Sequence, residues 1–211
     1  MTTDYNWIKT ESKLPWLPLD ISLPYEDMFE EANAIKHLFV SHRDEDVQGS
    51  YSHKGWKSVC IHGLDEYKTN HYTQYGYKSN EEAPYKWTSI ADKCPITTNW
   101  LKNVFPMKEY FRVRFMLLEP GGYIYPHVDS ETNQLSPINI ALNHPQNCIF
   151  KMEKHGVVPM KPGVVMLLDV GNKHAYINNS SEDRIHIIVH GKPTIEYKNL
   201  IIKSYEKYAK I

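Results

Sequence analysis

The chain has 211 residues, 24 Lys and Arg against 25 Asp and Glu, and a formal charge of −1. At 41% hydrophobic and 23% charged it is a globular composition with enough length for one domain and a substantial core, which excludes a disordered chain. The neutral balance gives no basic surface for nucleic acid, and no apolar run approaches the roughly 20 residues that cross a bilayer. The first seven residues, Met1 to Trp7, show no basic and then apolar leader pattern. Cys60, Cys94 and Cys148 are odd in number, widely spread and without a CxxC pair, so neither a disulfide framework nor a thiolate metal cluster is expected. These features predict a cytoplasmic protein, monomeric or homodimeric. Eleven histidines justify a search for a metal site.

Residues 1–23 read as an extended arm packed on the body. Tyr25–Phe39 reads as a helix: Pro24 stands at its start, acidic residues fill the first turn, and Met28, Ala32, Ile35 and Phe39 recur at helical spacing. Residues 41–54 are polar loop, and Lys57–His62 is a strand. Residues 66–88 have little apolar periodicity and form a long loop, of the kind that often carries function, closure over a pocket included. A second helix is expected over Thr97–Val104, after Pro95. From Phe111 onward short β-branched or aromatic runs alternate with turn signals: Phe111–Leu118, a Pro120-Gly121-Gly122 turn, Tyr123–Val128, Ile138–Leu142, Cys148–Met152, a Lys161-Pro162-Gly163 turn, Val164–Leu168, His174–Ile177 and Arg184–His190. This predicts a β-sandwich or barrel with flanking helices. Leu200–Ile211 is a candidate final helix. The chain is expected to be one domain, with residues 1–54 as arm and helix, 55–193 as β core and 194–211 as a C-terminal segment.

The feature that points to chemistry is His127-Val128-Asp129, with His174 47 positions on and Arg184 ten beyond that. His127 and Asp129 stand two apart at a strand end, so both leave the same face. A distant third ligand completes a set of two histidines and one carboxylate, which holds Fe(II) on one face and leaves positions open. Arg184 opens a strand, and its planar fork suits a carboxylate. His42-Arg43-Asp44 repeats the His-x-Asp spacing. It is set aside because it sits in a polar run with no strand pattern and lacks the other parts of a kinase catalytic site.

Together, Phe115 through Asp129, Ile140 to Pro145, Pro162-Gly163, Asp169 through Asn178 and Arg184 resemble the aspartyl/asparaginyl β-hydroxylase family of Fe(II)/2-oxoglutarate oxygenases. Gly55-Trp56-Lys57 and Cys94 to Thr97 resemble its substrate-side segments, so the resemblance spans about residues 55–193. It implies a double-stranded β-helix, a cupin-like jelly roll. It also implies that His127 and His174 bind iron, and that Arg184 holds the distal carboxylate of 2-oxoglutarate. The implied chemistry couples O₂ and 2-oxoglutarate to hydroxylation, leaving succinate and CO₂. Two departures stand out. The best-known hydroxylases of the family carry glycine where this chain has Asp129 and bind iron through two histidines. Asp129 therefore points to a full triad of His127, Asp129 and His174 and argues against a halogenase. A family Arg-x-His segment is replaced by Pro137-Ile138-Asn139, which makes Asn139 a candidate co-substrate contact.

His186 and His190 compete with His174 as the third ligand, since all three lie near the last strands; His186 also shares a strand face with Arg184, and either hydrogen-bonds the co-substrate or is a buried, satisfied histidine. Arg184 has a bland alternative, a surface ion pair with Glu182 or Asp183. Arg112 and Arg114 share a strand face that is either inward or solvated. Trp56, Tyr85, Tyr123 and Tyr125 are candidates for a substrate pocket. His53, His62 and His155 read as structural. The substrate is expected to be an Asp- or Asn-type side chain in a peptide, or a free amino acid or other small polar molecule. The alternatives are a cupin-type metal-binding isomerase, a non-catalytic ligand-binding protein, or an interaction domain with a degenerate pocket.

Overall fold

Alternation along one strand sets the architecture. Val113, Phe115 and Leu117 are buried in one apolar cluster, while Arg112, Arg114 and Met116 line a cavity on the opposite face. The computed structural model describes residues 8, 12–43, 52–129 and 137–208. Residues 1–7 and 9–11 of the expected arm, 44–51 of the expected polar loop with Asp44, 130–136, and 209–211 of the expected last helix lie outside these.

In chain order the elements are β1 (Trp16–Pro18), α1 (Tyr25–Ala34), β2 (Val40–Ser41), β3 (His53–Gly63), β4 (Lys86–Trp87), α2 (Ser89–Lys93), α3 (Pro95–Asn103), β5 (Met107–His127), β6 (Ile138–Ala141), β7 (Cys148–Met152), β8 (Gly156–Val157), β9 (Val165–Leu168), β10 (His174–Asn178), β11 (Arg184–Pro193) and α4 (Ile195–Tyr208). The strands form one antiparallel sheet in the order β1-β9-β6-β11-β5-β10-β7-β8, with β3 also on β5 and carrying β2 and β4.

β5 belongs to both halves of this sheet. From Met107 to Leu118 it pairs with β11, and from Tyr123 to His127 it pairs with β10. The sheet therefore curls about β5 into two layers, β1-β9-β6-β11-β5 and β5-β10-β7-β8, which is a jelly-roll arrangement. The sequence reading put a turn at Pro120-Gly121-Gly122; the structure instead continues the strand and bends it there. Gly121 has φ +71°, a region that disfavours a side chain. A Cβ on Gly122 would lie 2.7 Å from the Glu119 carbonyl oxygen and 3.0 Å from that of Lys54. The glycines thus let two backbones close on each other while β5 changes layer.

Outward residues of β3, β5, β6, β9 and β11, such as Ile61, Phe115, Ile140, Leu167 and Ile187, meet α1 to α4 through Met28, Ile90, Leu101 and Tyr197. Each such side chain contributes about 1.5–3 kcal/mol on burial, so this face fixes which side of the sheet is left for the cavity. Glu31 ties α1 to α3 by accepting from the amides of Ile96 and Thr97 at the α3 N-terminus. α1 stops at Ala34 rather than Phe39. A tight 3₁₀ turn over Lys36–Leu38 redirects the chain and delivers Phe39 to Phe115. α4 starts earlier than Leu200 because Thr194 Oγ1 accepts from the Tyr197 amide. The long segment 66–88 holds one 3₁₀ turn (Tyr72–Tyr75) and β4. Among the described residues no helix is long and apolar enough to cross a membrane.

Candidate active site

β5 ends at His127, and β10 begins opposite it at His174. Tyr176 pairs with Ile124, so three steps on β5 match two on β10. That extra residue is a β-bulge, a device common beside active sites because it re-aims a side chain. Without it His127 would share the outer face of Tyr123 and Tyr125. With it, His127 joins Ile124, His174 and Tyr176 on the cavity wall. Asp129 follows the strand end, its amide donating to the Val170 carbonyl at 3.1 Å.

The ligand atoms of His127, Asp129 and His174 lie within 4.8 Å of one another. His127 Nε2 is 3.8 Å from Asp129 Oδ1, and His174 Nε2 is 3.9 Å from Asp129 Oδ2. These separations exceed hydrogen bonds. Donors about 2.1 Å from one metal sit roughly 3–3.5 Å apart, so these two separations close by roughly 0.3–0.9 Å around an ion. Both imidazoles are oriented from behind: Nδ1 of His127 donates to the Tyr125 carbonyl and Nδ1 of His174 to the Asn172 carbonyl, each at 2.8 Å. This fixes the tautomer with the Nε2 lone pair turned toward Asp129. Burial, followed by the neighbouring His174, pushes the His127 pKa down to about 4, so the ring is neutral and able to ligate at physiological pH.

The triad stands at one wall of a cavity of about 630 Å³. Phe150 connects it inward, lying edge-on to His174 and stacked on Tyr176 at 4.0 Å. Arg184 lies one layer behind that wall. Its guanidinium carbon is 4.5 Å from the Tyr176 ring centroid, and its Nη1 donates to His186 Nδ1 at 2.6 Å. Arg184 is 1% exposed and pairs with neither Glu182 nor Asp183; Asp183 is held by Lys36. Among the described residues its Nε and Nη2 have no hydrogen-bond partner, and neither has Asn139 Oδ1, which faces the cavity from β6. Burial, followed by Arg184, pushes the His186 pKa well down, consistent with a neutral ring that accepts from the guanidinium.

Of the other candidates, Trp56, Arg112 and Arg114 line the cavity. Tyr123 and Tyr125 do not. They stack on each other at 4.4 Å on the outer surface, where Tyr125 is 52% exposed, because the bulge separates their parity from that of His127. Tyr85 also stays outside the lining and packs near His62 and Phe111. The three cysteines are buried and free. Sequence reading set aside His42 and Arg43, which line the cavity after the two-residue β2, took His190 only as a rival of His174, and missed Asn70 and His71; all five line the cavity. The polar run around His42 and Arg43 hides a close packing on Trp56, 4.3 Å from His42 between ring centroids. His190 carried a signal, since it continues the Arg184, His186 alternation.

The sequence model of the aspartyl/asparaginyl β-hydroxylase family matches residues 24–193, beginning well before the residue 55 expected from the motifs because α1 and β2 are part of the match. No curated protein matches the chain. Among solved structures, a prolyl-4-hydroxylase from Pseudomonas putida is 13% identical, with 89% of this chain and 96% of that one covered at a TM-score of 0.46. A prolyl hydroxylase from Trichoplax adhaerens, in complex with a hypoxia-inducible-factor peptide fragment, is 11% identical (92% and 88% covered, TM-score 0.47). HygX from Streptomyces hygroscopicus, with nickel and 2-oxoglutarate bound, is 10% identical (90% and 85% covered, TM-score 0.47).

Proposed function

The chain belongs to the aspartyl/asparaginyl β-hydroxylase family, and from that premise we propose that it is an Fe(II)- and 2-oxoglutarate-dependent dioxygenase that hydroxylates an amino-acid side chain, in a peptide or as a free amino acid. The observation that carries this reading is the convergence of His127, Asp129 and His174 on one point at the wall of a cavity. The triad and Arg184, with His186 beside it, fit the two groups. Two imidazoles and one carboxylate are the donor set for Fe(II). The unpartnered Nε and Nη2 of Arg184 offer a fork to a carboxylate. When bound, Fe(II) and 2-oxoglutarate supply the O₂ chemistry, in which the keto acid is oxidised to succinate and CO₂ and one oxygen atom enters a substrate C–H bond.

The protein's own residues bind and orient. Tyr125 and Asn172 carbonyls hold the two imidazoles in register. Arg184 takes the distal carboxylate of 2-oxoglutarate, steadied by His186 and by the Tyr176 face. Asn139 Oδ1, an acceptor only, orients a donor rather than a carboxylate. Phe150, Leu168 and Val170 exclude water from the triad's inner side. Anaerobic addition of Fe(II) and 2-oxoglutarate should give the weak visible charge-transfer band of the chelate. His127→Ala should abolish it. Absence of the band in the wild-type protein would sink this reading in favour of a cupin-type binding protein or isomerase.

A further inference from the structure

The far end of the cavity carries positive charge that the proposed co-substrate does not use. Arg112 and Arg114 project from β5 onto the cavity, and Arg43 joins them from the end of β2. Among the described lining residues, Asp129 is the only carboxylate. Neither Arg112 nor Arg114 forms an ion pair with a described residue. Arg114 is 5% exposed, donates from Nη1 to the Thr69 carbonyl at 2.8 Å, and leaves its Nε without a partner. His42 and His190, beside these arginines, do not add to this charge. Burial, then the arginines beside them, hold His42 and His190 well below the ordinary histidine pKa. Arg114 itself is lowered to about 9, by burial and then by Arg112, and so remains a cation at neutral pH.

Charge and position together decide what is missing. Among the described residues Arg112 and Arg114 alone outweigh Asp129 by one positive charge, and Fe(II) with the 2-oxoglutarate dianion adds none. Arg184 stands opposite Leu118 on β5, whereas Arg114 is four residues away along the same strand. At about 3.3 Å per residue that is roughly 13 Å. A five-carbon diacid reaching from the triad to Arg184 leaves Arg112 and Arg114 uncovered.

Resting on the oxygenase reading above, we infer that Arg112 and Arg114 form a second oxyanion subsite, which takes a carboxylate or phosphate group of the substrate itself. The substrate is then an anionic molecule or side chain, gripped at the cavity end away from Arg184, with Trp56 and the 66–88 segment as its walls. Asn70, His71 and Tyr72 place that segment on the lining, and the Thr69 carbonyl ties it to Arg114. Arg112 and Arg114 are specificity residues, not catalytic ones.

The test is a titration of protein loaded anaerobically with Fe(II) and 2-oxoglutarate, using L-aspartate and inorganic phosphate separately, with chloride at matched ionic strength as control. Calorimetry and thermal unfolding read binding, and the visible band reads 2-oxoglutarate. At least one oxyanion should bind saturably, and the better of the two tells carboxylate from phosphate. Arg112→Gln and Arg114→Gln should weaken it at least about tenfold while the chelate band persists. Arg114→Lys, which keeps the charge, should recover part of the binding and guards against a folding defect in the glutamine variant. Because an unpaired buried charge is removed, ligand-free Arg114→Gln should melt no lower than the wild type by more than a few degrees. The inference is overturned if neither oxyanion outperforms chloride, if both glutamine variants bind like the wild type, or if they lose the 2-oxoglutarate band instead. Should the wild type show no band at all, the oxygenase reading fails separately. Phosphate titration of the metal-free protein and its two variants then decides the subsite by itself.

Discussion

Replacing Arg184 by Met asks whether its guanidinium serves the fold or a bound carboxylate. The residue is 1% exposed, its Nη1 donates to His186, and its Nε and Nη2 are without partners. A buried cation without a carboxylate costs several kcal/mol. The Tyr176 face, 4.5 Å away, returns about 2 kcal/mol as a desolvated cation–π contact. Losing the hydrogen bond to the buried His186 costs about 1–3 kcal/mol, and the methionine thioether refills most of the volume. These opposing effects nearly cancel, so ligand-free stability should change by no more than about 2 kcal/mol in either direction, or about 4–8 °C for a chain of this size. Binding of 2-oxoglutarate, in contrast, loses two charge-assisted bonds of about 1.5–3 kcal/mol each, on the order of 10²- to 10⁴-fold in affinity. Urea unfolding without ligand measures the first quantity, and anaerobic titration of the Fe(II) complex by its visible band measures the second. A loss of more than about 4 kcal/mol of stability, with 2-oxoglutarate affinity within tenfold of wild type, would refute the assignment and make Arg184 a structural residue.

Acid should unfold the protein from well above the carboxylate range. Burial holds His42, His186 and His190 well below 6.5 in the folded state. Below pH 6.5 the unfolded chain binds protons that the folded one refuses, so each of these removes up to about 1.4 kcal/mol of stability per pH unit as the pH falls toward the folded value. Urea unfolding between pH 7 and 5 should show this steep fall, and His190→Phe should flatten it; a flat profile in the wild type would contradict the buried neutral histidines. Gly122→Ala should destabilise by about 1–3 kcal/mol through overpacking against Glu119 and Lys54, and Gly121→Ala, which meets nothing within 4 Å, by only about 1 kcal/mol through its positive φ. The order of the two urea midpoints checks it. Tyr125→Ser should leave both the chelate band and oxyanion binding unchanged, because that ring stands on the outer surface; a loss of either would place it in the site.

Much of the β core was readable residue by residue. Cys148–Met152 is a strand with the bounds expected, and the runs beginning at His174 and Arg184 start where the sequence placed them. Their β-branched alternation and their turn residues agree, as at Gly163 with φ +78° after Lys161-Pro162. The His-x-Asp spacing, the distant His174 and the Arg184, His186 alternation were equally plain, since they depend only on strand parity. The sequence failed wherever a local rule was overridden by a distant partner. Pro120-Gly121-Gly122 carries turn chemistry, yet β5 only bends there and resumes its pairing at Tyr123, because β3 and β10 take up the chain beyond it. The arm residues Trp16–Pro18 become an edge strand because β9 offers them a ladder.

What the sequence determined by itself was the alphabet of the site: which strands exist, which face each side chain takes within a strand, and the chemical types that recur there. Only the tertiary structure decided which of those faces meet. An unpredictable bulge turned His127 inward and Tyr125 outward, and the curl of the sheet brought Arg43, Arg112 and Arg114 to one cavity from β2 and β5. Register and curvature arise from pairing between segments far apart in the chain, and no periodicity within a single segment encodes them.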